Sequence, residues 1–490
     1  MATDIIPKGH PDSNDPDARH VDPENQPASQ RERGRRPGMR RWASIVAAAL
    51  VVGMAGYVIW PRSSAPRREG FSVVATKSLD ELRSDGEKGD VSTQFDLGKR
   101  YAAGEGVTRD PVEAVRWFRL AAGRGHADAQ VKLGWAYASG EGVAKDPVEA
   151  VRLFRLAAEQ GNAGAEFNLG VMFLKGEGVT KDPVEAVRLF RLAAEQGNAG
   201  AELGLGRMYD SGEGVAKDPV EGLKWFRRAA EQGSAVAQFG LAQMYDIGAG
   251  VAKDPAEAMK WFRKAAEQGY PSAQCSLGVC YANGEGVAKD PVEAAKWFRK
   301  AAEQGFTNAE FNLGVVYSTG VGVAKDPTEA AKWYRKAAEQ GDADAQCSLG
   351  GCYATGAGVV KDPVEGAKWY RQAAERGNVQ AQVKLGLDYA AGKGLVANST
   401  EAVKWFGYAA GANDTGAQFF LGLCYANGDG VPKDEIEALA WFDLSATAGN
   451  GSAVKSRDLL EQKLGWQKTR AALERSKEIL KEIGRNQATH

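Results

Sequence analysis

Between Asp90 and Asn450 the apolar positions fall into two alternating stripes, each with helical spacing, and the pair of stripes recurs every 36 residues. Ala114, Trp117, Phe118, Ala121 and Ala122 sit at i, i+3, i+4, i+7 and i+8, the spacing that places side chains on one buried helix face. In the preceding stripe Thr93, Leu97 and Tyr101 share a face, and Gly98 beside them marks a close approach between helices. The leucine recurs as Leu97, Leu133, Leu169, Leu205, Leu241, Leu277, Leu313, Leu349, Leu385 and Leu421. A fixed period of this size is the mark of a stacked array, in which each helical hairpin buries its apolar face only against its neighbours.

Polar residues punctuate the stripes where helix ends need them. The first helix opens after a capping side chain (Asp90, Asn162, Asn198, Ser234, Asp342, Asn378 or Asp414) in seven of ten copies. It closes at a glycine, Gly104 and its equivalents, in every copy. Asp110-Pro111-x-Glu113 opens the second helix, with an acceptor at the N-cap, proline at the first helical position, and a carboxylate expected to reach back to the cap. Gly125 and its equivalents end it; Asn413 stands in for glycine once and also tolerates the left-handed conformation.

The frame Ala-x-Ala-Gln/Glu-x-x-Leu-Gly-x-x-Tyr-x-x-Gly-x-Gly-Val-x-Lys-Asp-x-x-Glu-Ala-x-x-Trp-Phe-x-x-Ala-Ala-x-x-Gly resembles the Sel1-like repeat family, a relative of the tetratricopeptide repeat. That resemblance implies an all-α, right-handed α-solenoid of about ten 36-residue helix-turn-helix repeats over 89–450. It also implies a concave surface lined by first helices and a scaffold role for binding other proteins. Bacterial relatives are often exported or membrane-tethered and linked to envelope, exopolysaccharide or signalling complexes. Departures from the frame are mild: Leu153 and Leu189 replace the tryptophan, Phe173 replaces the tyrosine, and copies nine and ten keep Lys-Asp-Pro only in part.

Flanking segments have different patterns. Residues 1–41 carry almost no large apolar side chains and read as a disordered cytoplasmic tail, ending in Arg31, Arg33, Arg35, Arg36, Arg40 and Arg41. The stretch 42–60 follows: Ala43 to Ile59 is uncharged, bracketed by Trp42 and Trp60, and would span about 26 Å as a helix, enough for a bilayer core. Tryptophans suit the two interfaces, and the arginine excess before the segment leaves the tail in the cytoplasm and the repeats across the membrane. The alternative is an export signal cleaved near Ser63-Ser64-Ala65, giving a secreted repeat protein. Residues 61–88 read as a linker followed by a capping helix, Ser78 to Gly89, which already keeps the register. Beyond Asn450, within 451–490, two helices (Ala453 to Leu464 and Thr469 to Ile483) are expected to close the array with Leu459, Leu460, Leu464, Trp466, Ala472 and Leu473.

Composition narrows the chemistry. With 62 basic and 63 acidic residues there is no global field to attract nucleic acid or an anionic substrate. Four scattered histidines (His10, His20, His126, His490) offer no metal or catalytic cluster, so neither metal nor cofactor is expected, and no small-molecule substrate. Five cysteines (Cys275, Cys280, Cys347, Cys352, Cys424) are five apart within a pair or whole repeats apart between pairs, too far to bridge. Cys280, Cys352 and Cys424 share a column with Met172, Met208, Met244 and Val316 and read as core hydrophobes. Ser452-Ala453-Val454-Lys455 matches a Ser-x-x-Lys motif whose companion motifs are missing, and Gly104-x-Gly106 is turn chemistry with no strand before it.

A binding surface is expected where the frame is silent. Two residues after each leucine the chain reads Lys99, Trp135, Val171, Arg207, Gln243, Val279, Val315, Gly351, Leu387 and Leu423, a column projecting away from the buried face of the first helix. Asp210 and Asp246 lie on the same side, with the column Phe95, Phe167, Phe239, Phe311 and Phe419, whose expected role is packing against the adjacent first helix. Lys99, Trp135, Arg207, Asp210, Gln243, Asp246 and Leu387 are therefore the candidate partner-binding residues, with Trp42 and Trp60 the candidate membrane anchors. The expectation is a non-catalytic scaffold in the bacterial inner membrane, its repeats periplasmic and binding a protein or peptide. A peptidoglycan- or exopolysaccharide-binding role, with groove aromatics stacked on sugars, is the alternative.

Overall fold

The computed structural model describes residues 78–488. The tail, the apolar stretch bracketed by Trp42 and Trp60, and the linker through residue 77 lie outside the described residues. Among the described residues there are 23 helices and no strand, and no helix is long and apolar enough to cross a membrane.

One helix, Leu79–Lys88, leads the array, and ten helical hairpins follow in register. The first helix of repeat one is Val91–Ala103 and its second is Pro111–Gly123; in repeat ten they are Thr415–Asn427 and Glu435–Thr447. Each second helix packs on the first helix of its own repeat and on the first helix of the next, so the hairpins form an uninterrupted stack. Burial follows from that sandwich. The leucine column is sealed throughout, from Leu97 at 0 % exposure to Leu133 and Leu169 at 4 %. The aromatic and alanine stripe of the second helices is buried with it, as Trp117, Phe118 and Ala121 show.

Glycine earns its place at two recurring positions. Gly98 and its equivalents let the first helix ride on the second-helix ring of the same repeat: a Cβ on Gly98 would sit 2.5 Å from the Phe118 ring. Where Ala242 replaces this glycine, it is fully buried. The second glycine of Gly-x-Gly touches the previous repeat instead. Gly178 (φ +69°) would place a Cβ 2.1 Å from the carbonyl oxygen of Pro147, at the start of the second helix of repeat two. This turn glycine is thus also a contact between repeats. Asn413, with φ 63°, is the only non-glycine residue with positive φ among the described residues, as its place in the frame anticipates.

The capping pattern holds with two corrections. Asp110 accepts from the amides of Val112 and Glu113, and the same geometry recurs down the array. The reciprocal contact expected of Glu113 is not made, because the Asp110 amide already donates to the Tyr101 carbonyl at 2.9 Å. The carboxylate turns to a base three residues on, Arg116 at 2.6 Å. Arg152, Lys224 and Lys296 repeat that pairing with Glu149, Glu221 and Glu293. Among the described residues a full capping box appears only at the lead helix, where no such carbonyl intervenes and Ser78 and Glu81 exchange bonds. Eight first helices, rather than seven, have a side-chain cap, since His126 accepts the Ala129 amide on Nδ1. Tyr270 and Phe306 give no such bond; Tyr270 instead packs edge-on against Phe239, 5.3 Å between ring centres.

At the C-terminal end, helices Gly451–Leu464 and Trp466–Ala488 cover repeat ten. Of the expected closing residues Ala472 is buried and Leu460 and Leu464 are half-buried. Ala453, Ala472, Ser476, Ile479 and Ile483 are buried, whereas Leu459, Trp466 and Leu473 stay exposed. Polar anchors fix this rotation: Arg475 pairs with Glu437 at 2.9 Å, and the Ser476 hydroxyl donates to Asp443 at 2.9 Å.

Candidate functional site

The column two residues after the leucine occupies the ninth position of every first helix, so its members recur at equivalent places along the stack. It is less open than the sequence suggests. Lys99 is exposed, with its ammonium 2.6 Å from Asp96 and over the Phe95 ring. Trp135, Gln243 and Leu387 are half-buried, and Arg207 is buried. Trp135 packs against the cluster containing Phe154 and Met172, and Leu387 against the one containing Phe406. The physical reason is the sandwich: a first helix has the second helix of its own repeat on one flank and that of the preceding repeat on the other. No side of it is fully free.

Asp210 and Asp246 follow three positions further along their helices and are half-buried. Burial raises the Asp246 carboxyl above the ordinary aspartate range, an effect Lys253 partly opposes. The phenylalanine column is structural, but its partner is not the adjacent first helix alone. Phe95, Phe167, Phe239, Phe311 and Phe419 each meet the second-helix ring of their own repeat, with centroids 5.7–6.0 Å apart. Phe95 also stacks on His126 of the next junction, at 4.5 Å.

Two polar systems tie the repeats together, and neither was assigned a role by the pattern of apolar positions. One links a second-helix arginine to the tyrosine of the following first helix: Arg263 donates to the Tyr281 hydroxyl at 2.8 Å, Arg191 to Tyr209 at 2.7 Å and Arg371 to Tyr389 at 2.6 Å. Arg119, exposed on its own helix, does the same with Tyr137 at 3.2 Å. At Phe173, which lacks the hydroxyl, Arg155 lies over the ring instead, 5.9 Å from its centre. The signal was present as an arginine recurring 18 residues before the tyrosine of each first helix except Tyr425, where Gly407 stands instead.

The second system is a buried amide column. Gln274 donates to the Ala266 carbonyl at 3.1 Å, closing the end of the preceding second helix, and accepts from Gln304 at 2.7 Å. Gln130, Gln238, Gln346 and Gln382 make the equivalent first bond. Glutamate takes this place at Glu166, Glu202 and Glu310, and burial raises all three carboxyls above the glutamate range. Glu202 is compensated by Arg228 at 2.9 Å.

Reactive chemistry is sparse here. All five cysteines are free thiols, and burial pushes Cys275 and Cys280 up to about 12, where a thiol is a poor nucleophile. Ser452 and Lys455 stand exposed near the start of the helix that follows repeat ten. Among the described residues no group of three or more His, Cys, Asp or Glu side chains is placed to hold a metal ion.

A family model described as Sel1 repeat matches the chain ten times in unbroken succession, at 91–126, 127–162, 163–198, 199–234, 235–270, 271–306, 307–342, 343–378, 379–414 and 415–450. Among solved structures, the chain is similar to c5321, a protective antigen present in uropathogenic Escherichia coli strains that displays an SLR fold. Identity is 37 %, over 83 % of this chain and 87 % of that one, with a TM-score of 0.73. It is also similar to a Sel1 repeat protein from Oxalobacter formigenes, 33 % identical over 64 % of this chain and 93 % of that one, with a TM-score of 0.51. No curated protein matches the chain.

Proposed function

Because the chain belongs to the Sel1 repeat family, we propose that its stack is a non-catalytic scaffold that holds a protein or peptide partner along the wall formed by its first helices. One observation carries this reading. Almost every recurrent residue has a structural task in capping, packing or linking repeats, whereas the ninth position of the first helix changes chemistry from copy to copy: lysine, tryptophan, valine, arginine, glutamine, glycine and leucine. A surface that varies on a scaffold that does not is where partner choice can be written. Half-burial of Trp135, Gln243 and Leu387 favours this use, since anchoring side chains that are already held lose little freedom on binding.

The same proposal places the array in the bacterial envelope, tethered to the inner membrane through the stretch 42–60 with the repeats on the periplasmic side. A relative that serves as a protective antigen fits repeats carried outside the cytoplasm. Crosslinking in intact cells, followed by identification of the bound proteins, tests the partner: adducts lost on substituting Trp135, Arg207 or Gln243 support the scaffold, and adducts indifferent to all three count against it. For the topology, a reporter fused after His490 is expected to be active only outside the cytoplasm; activity inside reverses the orientation.

A further inference from the structure

The junction of repeats eight and nine departs from the frame at three places, two on repeat eight and one on the facing first helix of repeat nine. In repeat eight the ninth position of the first helix is Gly351, the only glycine in that column. The ring carried by the second helix of that repeat is Tyr370, where most repeats have phenylalanine, and its hydroxyl stands 3.5 Å from where a Cβ on Gly351 would lie. Tyr370 is 6 % exposed. In the next first helix the column otherwise filled from repeat three onward by methionine, cysteine or valine holds Asp388, half-buried.

The preceding junction shows what a structural use of the phenol looks like. There Tyr334 donates to Ser318 at 3.1 Å. At the position equivalent to Ser318, repeat eight has Ala354, so that bond is not available to Tyr370. Among the described residues neither the Tyr370 hydroxyl nor the Asp388 carboxylate has a hydrogen-bond or ion-pair partner. Both groups feel their burial: the phenol is raised, first by desolvation and then by Cys347, Asp388 and Cys352. The Asp388 carboxyl is raised to about 6, with Lys393 and Lys384 opposing the shift. Neither oxygen is sealed from solvent, so a bound partner can reach both without breaking a bond inside the protein.

We propose that Gly351, Tyr370 and Asp388 form a notch that receives a lysine or arginine side chain of the polypeptide bound along the first-helix wall. The proposal rests on the scaffold reading above. A cation matches both orphaned groups, since ammonium and guanidinium donate several hydrogen bonds while the carboxylate and the phenol oxygen accept. The missing side chain at Gly351 leaves the approach open. Leu387, half-buried against the Phe406 cluster beside Asp388, offers an apolar wall for the aliphatic stem. Lys384, one turn earlier on the same helix, is exposed and can swing to solvent. One carboxylate and one phenol are too few donors for a metal ion, and an anion would be repelled.

The test is selection of a phage-displayed random peptide library on the full chain. The variants Asp388→Met and Tyr370→Phe restore residues that other repeats carry at these positions, so both are expected to fold. Peptides enriched on the wild type are expected to share a lysine or arginine. Their affinity should fall about tenfold or more in Asp388→Met and less in Tyr370→Phe, with thermal stability unchanged or raised. Enriched peptides that lack a shared cation, or that bind Asp388→Met as well as wild type, overturn the notch and leave the scaffold standing. No enriched peptide at all overturns both.

Discussion

Arg263 of repeat five donates its guanidinium to the hydroxyl of Tyr281 in repeat six, 2.8 Å away. The bond crosses a junction between two units that share no covalent turn of helix, and it recurs at most junctions of the array. Stability in a stack is the sum of what each unit holds alone and what each interface adds. The Arg–Tyr link belongs to the second term.

Phe173 is the natural deletion of that link. Replacing it by tyrosine should let Arg155 regain a hydroxyl acceptor and stabilise the junction of repeats two and three by about 0.5–1 kcal/mol, the low side reflecting an exposed arginine. Tyr281→Phe should cost a similar amount at its own junction. Urea unfolding combined with native-state hydrogen exchange locates both effects; a Phe173→Tyr variant no more stable than wild type would show the link to be decorative.

Glu166 should be destabilising at neutral pH. Glutamines at its position donate to a helix-end carbonyl, but an ionised carboxylate cannot, and repeat three has Leu192 where repeat four has the compensating Arg228. Glu166→Gln is therefore expected to stabilise by about 1 kcal/mol. The sign with pH follows from the raised folded value: a protonated Glu166 can donate as glutamine does. The advantage of the variant should thus be full above the folded value and shrink as pH falls toward the ordinary 4.5. Glu202→Gln should show no such gain, because Arg228 already donates to the Ala194 carbonyl at 3.1 Å and pairs with the carboxylate. Thermal melts of the three chains from pH 4 to 8 decide it.

Two glycines should respond in opposite directions to alanine. Gly178 combines a φ of +69° with a Cβ position 2.1 Å from the Pro147 carbonyl oxygen, so Gly178→Ala should cost about 3 kcal/mol or more. Gly123 is helical and a Cβ there meets nothing within 4 Å, so Gly123→Ala should gain about 0.5–1 kcal/mol. Equal effects in calorimetry would mean that the second glycine of each Gly-x-Gly is only a turn residue.

Much of this architecture was legible in the chain. Asp110-Pro111 and Gly104 state the helix ends through local chemistry, and the Leu97 column states the core through spacing. Relations between repeats were harder to read. Arg119 looks solvent-facing within its own helix, because its partner Tyr137 belongs to the next unit. Glu113 has the spacing of half a capping box, but the Tyr101 carbonyl already occupies the amide it would use. Trp135 and Leu387 point away from the leucine face, as the helical angle requires, yet are half-covered because a second helix flanks each side. The notch at Tyr370 and Asp388 depends on three substitutions in two repeats, each unremarked by itself.

The scaffold claim is tested most directly by site-specific photocrosslinking in living cells, with the photoreactive residue at Gln243 on the first-helix wall or at Val292, which is 52 % exposed on a second helix. A discrete polypeptide adduct from position 243, with none from position 292, is the predicted result. Adducts from 292 alone, or no polypeptide adduct from either, would contradict it.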